Sequence, residues 1–421
     1  MPIAVFKIEN KAIIVLISTA YPAKSLISVS FLVLGNCLGV GVLALPIKSG
    51  LCGFFPALVG IILVWLMMLT SAFVIGYKIN VEKSSTFDIP SFYAQETNQL
   101  GKWVAIACNL ILLYGVLVAY LSGMTTIINN LIPVKLSDSL VTIVYFLLTT
   151  SLILFGSAIM RKGNMFIVIA VWISFVFLII YGAQDFELSK LGAADWGFFP
   201  IGIPVAVSAF HFHNIIPTVS RSLNHDVRAT RKAIFIGVGL GLVINLVWVL
   251  IVLGTLQRMG LDPNSIEEAY WHDLPATIPM DRLLHSRVFE ISGFVFAFLA
   301  VTASYIANGT GLFGFIRDMT DTYLNTQNKL LVAALSFVPP LVVALIYPDI
   351  FLSALDVVGG IGETILFIIL PGYILFKLSR GKYYWGYVLG WIMLLAGGLI
   401  VLYVFLDKIG IIDLVPVMPG A

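Results

Sequence analysis

Charge is scarce in this chain. Lys, Arg, Asp and Glu make up 11% of its 421 residues, whereas a soluble domain carries roughly a quarter. So few charged groups cannot cover a water-facing surface. Disorder is excluded as well, because 60% of the residues are hydrophobic and the mean hydropathy is +1.02, far from the polar composition that keeps a chain unfolded. A net charge of +2 offers no basic field for a nucleic-acid partner. Cysteine is equally sparse. Cys37, Cys52 and Cys108 stand in or beside apolar stretches without metal-type spacing, which excludes a disulfide framework or a zinc site built on them. What the sequence has in abundance is long apolar runs. It reads as a multi-pass membrane protein.

About 20 apolar residues cross the hydrocarbon core as a helix. Windows of that size lie at 26–47, 52–77, 103–132, 139–158, 164–183, 200–220, 233–256, 288–315, 330–347, 351–376 and 384–406. Eleven helical spans are therefore expected. A barrel would show short alternating segments in place of runs such as 59–74. Lys and Arg in the connections set the orientation. With the N-terminus inside, only Lys48, Lys135, Lys190, Arg258, Arg282, Arg287 and Lys408 fall outside, and the other 17 of the 24 basic residues fall inside. This places the N-terminus in the cytoplasm, the C-terminus outside, and no basic residue deep in the bilayer. Residues 1–25 carry a short apolar run after Lys11, and are expected to be a cytoplasmic or interfacial lead-in rather than a cleaved signal. The longest connections are 78–102 and 257–287; the second, acidic and aromatic, is expected outside, with room for a lid-like helix.

Two spans are built unlike the others. The first reads GNCLGVGVLALP over 35–46, with three close glycines, Asn36 and Pro46. The sixth reads PVAVSAFHFHNIIP over 204–217, with His211, His213, Asn214 and Pro217. Gly costs about 1 kcal/mol and Pro about 3 inside a helix, so both spans are expected to break in mid-membrane. Freed backbone groups at that depth survive only in protein or beside a cavity. The two closing prolines lie 171 residues apart, which fits two repeats of five spans plus one extra. Paired breaks of this kind point to a transporter's binding site. Half-helix N-termini suit a carboxylate, and unwound carbonyls suit an ammonium or Na⁺. An α-amino acid carries both groups. Backbone at 35–41 would hold its main-chain end, and side chains at 208–214 would face its side chain.

The run GNCLGVGVLALP resembles the first-helix signature of the aromatic and hydroxy amino acid permeases. SAFHFHNIIP (208–217) is similar to that family's sixth-helix motif, and AYLSG (119–123) to its Tyr-x-Ser-Gly on the third span. Thr302, Ser304, Gly311-Leu312-Phe313 and Arg317-Asp318 resemble its eighth-helix end. The likeness runs through nearly the whole chain. It implies an inner-membrane symporter for tyrosine or tryptophan with a leucine-transporter-like inverted-repeat fold, usually proton-driven. On that reading, residues 26–183 form the first repeat, 184–376 the second with the outer loop 257–287, and 377–421 the last span with a short outer tail. Asn36, Gly39, Val40 and Gly41 become the substrate cradle. Tyr120 and Ser122 become the third-helix wall, and Ser208, Phe210, His211, Phe212 and His213 the sixth. His211 and Asn214 stand where the family pattern has small residues, and Gly314 replaces an acid.

Ionisable groups inside a span are functional candidates. Glu363, in GGIGE of the tenth span, can carry a proton, because a dehydrated carboxylate is costly and a protonated one is not; a structural carboxyl is the alternative. Glu290 and Asp356 lie near span ends and are expected to be solvated. His213 is the histidine that the family pattern retains, for a structural, substrate or coupling role. Sodium coupling would draw on Thr302, Ser304 and the carbonyls of 35–38. Protons rank above sodium by family habit alone. No cofactor is implied beyond the driving ion. The partners are an amino acid and the bilayer, and a monomer is compatible with the reading. A serine/threonine-type symporter is the nearer alternative. An intramembrane enzyme, a zinc site on His211 and His213 and a channel are more remote, since no nucleophile–base constellation, third ligand or repeated ring is present.

Overall fold

The computed structural model describes residues 4–8, 11–15, 23–37, 39, 41–82, 89–131, 136–155, 157–260 and 262–414. Within the expected lead-in, strands β1 (Ala4–Ile8) and β2 (Lys11–Val15) pair antiparallel, with Ala4 opposite Val15. Helices follow: α1 (Ala23–Cys37), α2 (Gly41–Gly50), α3 (Phe54–Glu82), α4 (Ile89–Glu96), α5 (Gln99–Leu131), α6 (Asp138–Phe155) and α7 (Ser157–Gly182). Next come α8 (Phe199–Ala209), α9 (Ile216–Ser222), α10 (Val227–Thr255), α11 (Ile266–Trp271), α12 (Thr277–Leu284), α13 (Arg287–Leu324) and α14 (Lys329–Ile346). The last span runs are α15 (Phe351–Val357), two π-helical stretches at Val358–Glu363 and Ile365–Ile369, α16 (Leu370–Ser379) and α17 (Tyr384–Lys408).

Among the described residues, nine helical spans are long and apolar enough to cross a bilayer. The pair α1 and α2, bent by 56° at their junction, makes a tenth. The expected window 164–183 falls on α7, a continuous helix of 26 residues. Polar caps start several helices at the ends of the bundle. Asp226 accepts from the Ala229 amide at 2.8 Å before α10, and Asn328 from the Leu330 amide at 3.0 Å before α14. These bonds satisfy donors that the first turn leaves unpaired.

The span 351–379 sits at the centre, with 72% of its apolar window buried, while α17 lies at the periphery with 22%. The half-helices α2 and α8 pack closely because small residues face each other. A Cβ on Gly41 would stand 2.8 Å from Ala209 Cα, and one on Gly202 2.7 Å from Ser49 Cα. Side chains larger than hydrogen do not fit there.

One end of the bundle is sealed by the connection between α10 and α13. Ala276 N donates to Leu43 O at 3.0 Å, and Arg258 Nη1 donates to Leu51 O at 2.9 Å. The same end holds an ion cluster that corrects one expectation. Lys48 is buried at the end of α2, and its Nζ lies 2.7 Å from Asp356 Oδ2. Asp356 is therefore not solvated. Lys408 Nζ joins at 3.3 Å, and Lys48 rests 4.5 Å from the centre of the Tyr270 ring. A lone buried charge is prohibitively costly, so the lysine and the aspartate require each other. Glu290 pairs at 2.8 Å with Arg287 and keeps contact with solvent.

Candidate substrate site

Both expected breaks are present, and they meet. The first separates α1 from α2 around Gly39; Val40 lies outside the described residues. The second leaves Phe210–Phe212 out of regular helix before a 3-10 turn at His213–Ile215. Between the breaks lies a cavity of about 860 Å³. Asn36, Gly39 and Gly41 line it from the first break, and Ser208, His211 and Asn214 from the second. Tyr120 contributes from α5, Ser304 and Asn308 from α13, and Glu363 from the tenth span. The lining continues along α1 to Ser28 and along α9 to Ser222. The cavity thus extends away from the sealed end, towards the end where α1 begins.

Its polar groups are partly tethered. Asn308 Nδ2 donates to Tyr120 Oη at 3.1 Å and to Ser304 O at 3.0 Å. Asn36 Nδ2 donates back to Leu32 O at 3.1 Å. Glu363 is 1% exposed, and His211 Nδ1 lies 2.7 Å from its Oε1. That contact is not aligned along the ring N–H, and neither carboxylate oxygen finds another hydrogen-bond partner among the described residues.

The remaining expected site residues lie elsewhere. Phe210 and Phe212 are fully buried in the packed core and do not line the cavity. His213 turns away from His211: its Nε2 lies 3.2 Å from Met68 O on α3, and its ring stacks on Phe367 at 4.4 Å. His211 meets the same Phe367 ring edge-on at 5.6 Å. The unwound stretch therefore sends its two histidines to different surroundings. Ser122 accepts from the Ile350 amide at 3.3 Å and donates to Pro348 O, fixing the turn before α15. Thr302 Oγ1 is engaged with Tyr145 Oη at 3.0 Å.

Sequence reasoning did not anticipate the π-helical form of the tenth span or the role of Asn308. The signal for the first was GGIGE. A Cβ on Gly359 would stand 1.9 Å from Pro204 O, so only glycine lets this stretch approach α8. The widened turns stay satisfied, because Thr364 Oγ1 donates to Gly359 O at 2.6 Å and Tyr93 Oη donates to Leu366 O. Single π turns inside α-helices recur at functional sites.

The tryptophan/tyrosine permease family matches residues 23–413, which include every element around the cavity. The chain belongs to that family. Among similar proteins, the permease is 28% identical over 357 residues to tyrosine-specific transport system 1 of Haemophilus influenzae, covering 83% of this chain and 88% of that protein. It is 26% identical over 383 residues to the tryptophan-specific transport protein of the same organism, covering 85% and 88%. The low affinity tryptophan permease of Escherichia coli K12 is 25% identical over 374 residues, covering 82% and 85%. All three are named as transport proteins or permeases, none as an enzyme. In fold, the permease is similar to a manganese transporter of Eremococcus coleocola, with a TM-score of 0.58 at 15% identity, covering 92% of this chain and 87% of that one.

Proposed function

We propose that the chain imports aromatic amino acids, tyrosine or tryptophan, across a bacterial inner membrane by proton symport with alternating access. The observation that carries this reading is the meeting of two helix breaks at one cavity. There the N-terminus of α2 suits a carboxylate, and the carbonyl ends of α1 and α8 suit an ammonium. Gly39 leaves room for the main-chain end of the substrate, while Gly41 lets α2 pack against Ala209. Tyr120, Ser208, His211 and Asn308 face the remainder.

The proposed architecture is two inverted repeats of five spans, 26–183 and 184–376, with an eleventh span appended. The N-terminus is cytoplasmic and the C-terminus external, following the basic-residue bias. The cavity then faces the cytoplasm, and the Lys48–Asp356 cluster closes the outer side. Proton coupling is favoured because Glu363 stands in the cavity, whereas Thr302, a candidate sodium ligand, already shares its hydroxyl with Tyr145.

Purified protein in liposomes should accumulate labelled tyrosine saturably when the outside is acidic, with tryptophan competing and serine and threonine not. Uptake that follows a Na⁺ gradient at constant pH would replace the proton in this reading. Competition by serine or threonine alone would replace the substrate class. Non-saturating, gradient-independent flux would end it.

A further inference from the structure

The contact between His211 and Glu363 joins two irregular elements. His211 belongs to the break between α8 and α9, and Glu363 closes the first π-helical stretch of the tenth span. Among the described residues lining the cavity, the titratable groups are these two and Tyr120, and no lysine or arginine is present. Tyr120 faces Glu363 from α5, with its hydroxyl held by Ser304 and Asn308. His213 lies behind Phe367, against α3. Cys108 of α5 presents its carbonyl near Gly362. Asp356 of α15 is engaged with Lys48 at the sealed end, where Tyr403 of α17 also faces Asp356. Among the described residues, nothing cationic therefore offsets Glu363 except a proton on its own pair.

We propose that His211 and Glu363 act as one proton-sharing pair, in which His211 sets the proton affinity at which substrate is carried. This rests on reading the cavity as the amino-acid site. Without a proton, the pair carries one negative charge beside a neutral ring. With one proton bound, as N–H on the ring or O–H on the carboxyl, the pair is neutral overall and the 2.7 Å contact can align as a hydrogen bond. That bond draws the break of the sixth span to the tenth. A zwitterionic substrate is itself neutral, so closing a dry cavity around it is cheap only when the pair holds its proton. An empty carrier keeps water around Glu363 and can return without the proton. The proton enters from the outer aqueous phase with the substrate and leaves to the inner phase when that bond breaks.

The test measures tyrosine binding against pH, and proton uptake with a pH dye in weak buffer, for wild type, Glu363→Gln and His211→Asn. Monodisperse elution and an unchanged melting temperature report that each variant is folded. Wild type should take up one proton per tyrosine above its midpoint. Glu363→Gln should lose proton uptake, uphill accumulation and the pH dependence of tyrosine binding. His211→Asn should retain proton uptake but move the midpoint by about one pH unit or more, a tenfold change in proton affinity. His211→Gln repeats the measurement if the Asn variant does not survive purification. Superimposable pH profiles for wild type and the His211 variants overturn the pair, as does an unchanged profile in Glu363→Gln. If wild type neither binds nor transports tyrosine or tryptophan, the transport reading itself fails; if only the His211 shift is missing, that reading stands and the pair alone is lost.

Discussion

Glycine 41 and glycine 39, two positions apart, are constrained by different things. Gly41 faces the backbone of Ala209, whereas a Cβ on Gly39 would meet only Ser304 Oγ at 3.6 Å. Gly41→Leu should therefore reduce the yield of monodisperse protein. Gly39→Leu should fold and weaken tyrosine binding by about tenfold or more, as titration of labelled substrate would reveal, because its side chain fills the cavity. Equal stability of the two variants would contradict this assignment. The glycines and Asn36 were legible as a break, but which glycine faces protein and which faces space depends on α8, whose Ala209 lies 168 residues beyond Gly41. Phe212 teaches the same lesson. Its motif suggests a pocket residue, yet it is fully buried. Phe212→Ala should lower stability by about 3–5 kcal/mol in thermal unfolding and leave the ranking of substrates unchanged. In the unwound stretch, no helical period says which side chain faces inward, so sequence spacing could not separate His211 from His213.

The broken helices were legible because glycine and proline announce lost helical bonds. The π-helical tenth span was not, since widening is set by what packs against it, here Pro204 O and Tyr93. Nor was the pairing of α2 with α15, whose partners Lys48 and Asp356 lie 308 residues apart. Lys48→Met should destabilise the protein by about 3–5 kcal/mol, because Asp356 then stays buried with only Lys408 near it. Lys48→Met with Asp356→Leu should recover most of that loss in the same melting assay; a double variant no better than the single would argue against an isolated pair. The connection that seals this end has its own titration. Asp273 Oδ1 accepts from the Leu352 amide at 2.8 Å, at the start of α15, and burial pushes its carboxyl up to about 7 from 3.8. Between those values, the folded chain holds a proton that the unfolded chain releases, so this group's contribution to stability falls as pH rises through that window. Asp273→Asn keeps an acceptor for Leu352 and removes the charge. Melting temperatures measured across the window should lose that downward component in the variant.

For the molecule as a whole, class and family were the most legible features, because they rest on properties spread along the chain: low charge, long apolar runs and motifs in order. The count of spans was less secure. Nine spans and one bent pair are found among the described residues, against the eleven windows that hydropathy marks. The preferred amino acid and the driving ion were not legible, because both depend on which atoms of several helices converge on one space. That space has a volume of about 860 Å³, enough for on the order of twenty or more waters at ~30 Å³ each. One amino acid displaces only some of them, and occlusion must expel most of the others. Turnover therefore includes a step of dehydration and should respond to osmotic pressure. An impermeant sugar on the side to which the cavity opens should speed closure, and the same osmolality applied on the sealed side should not.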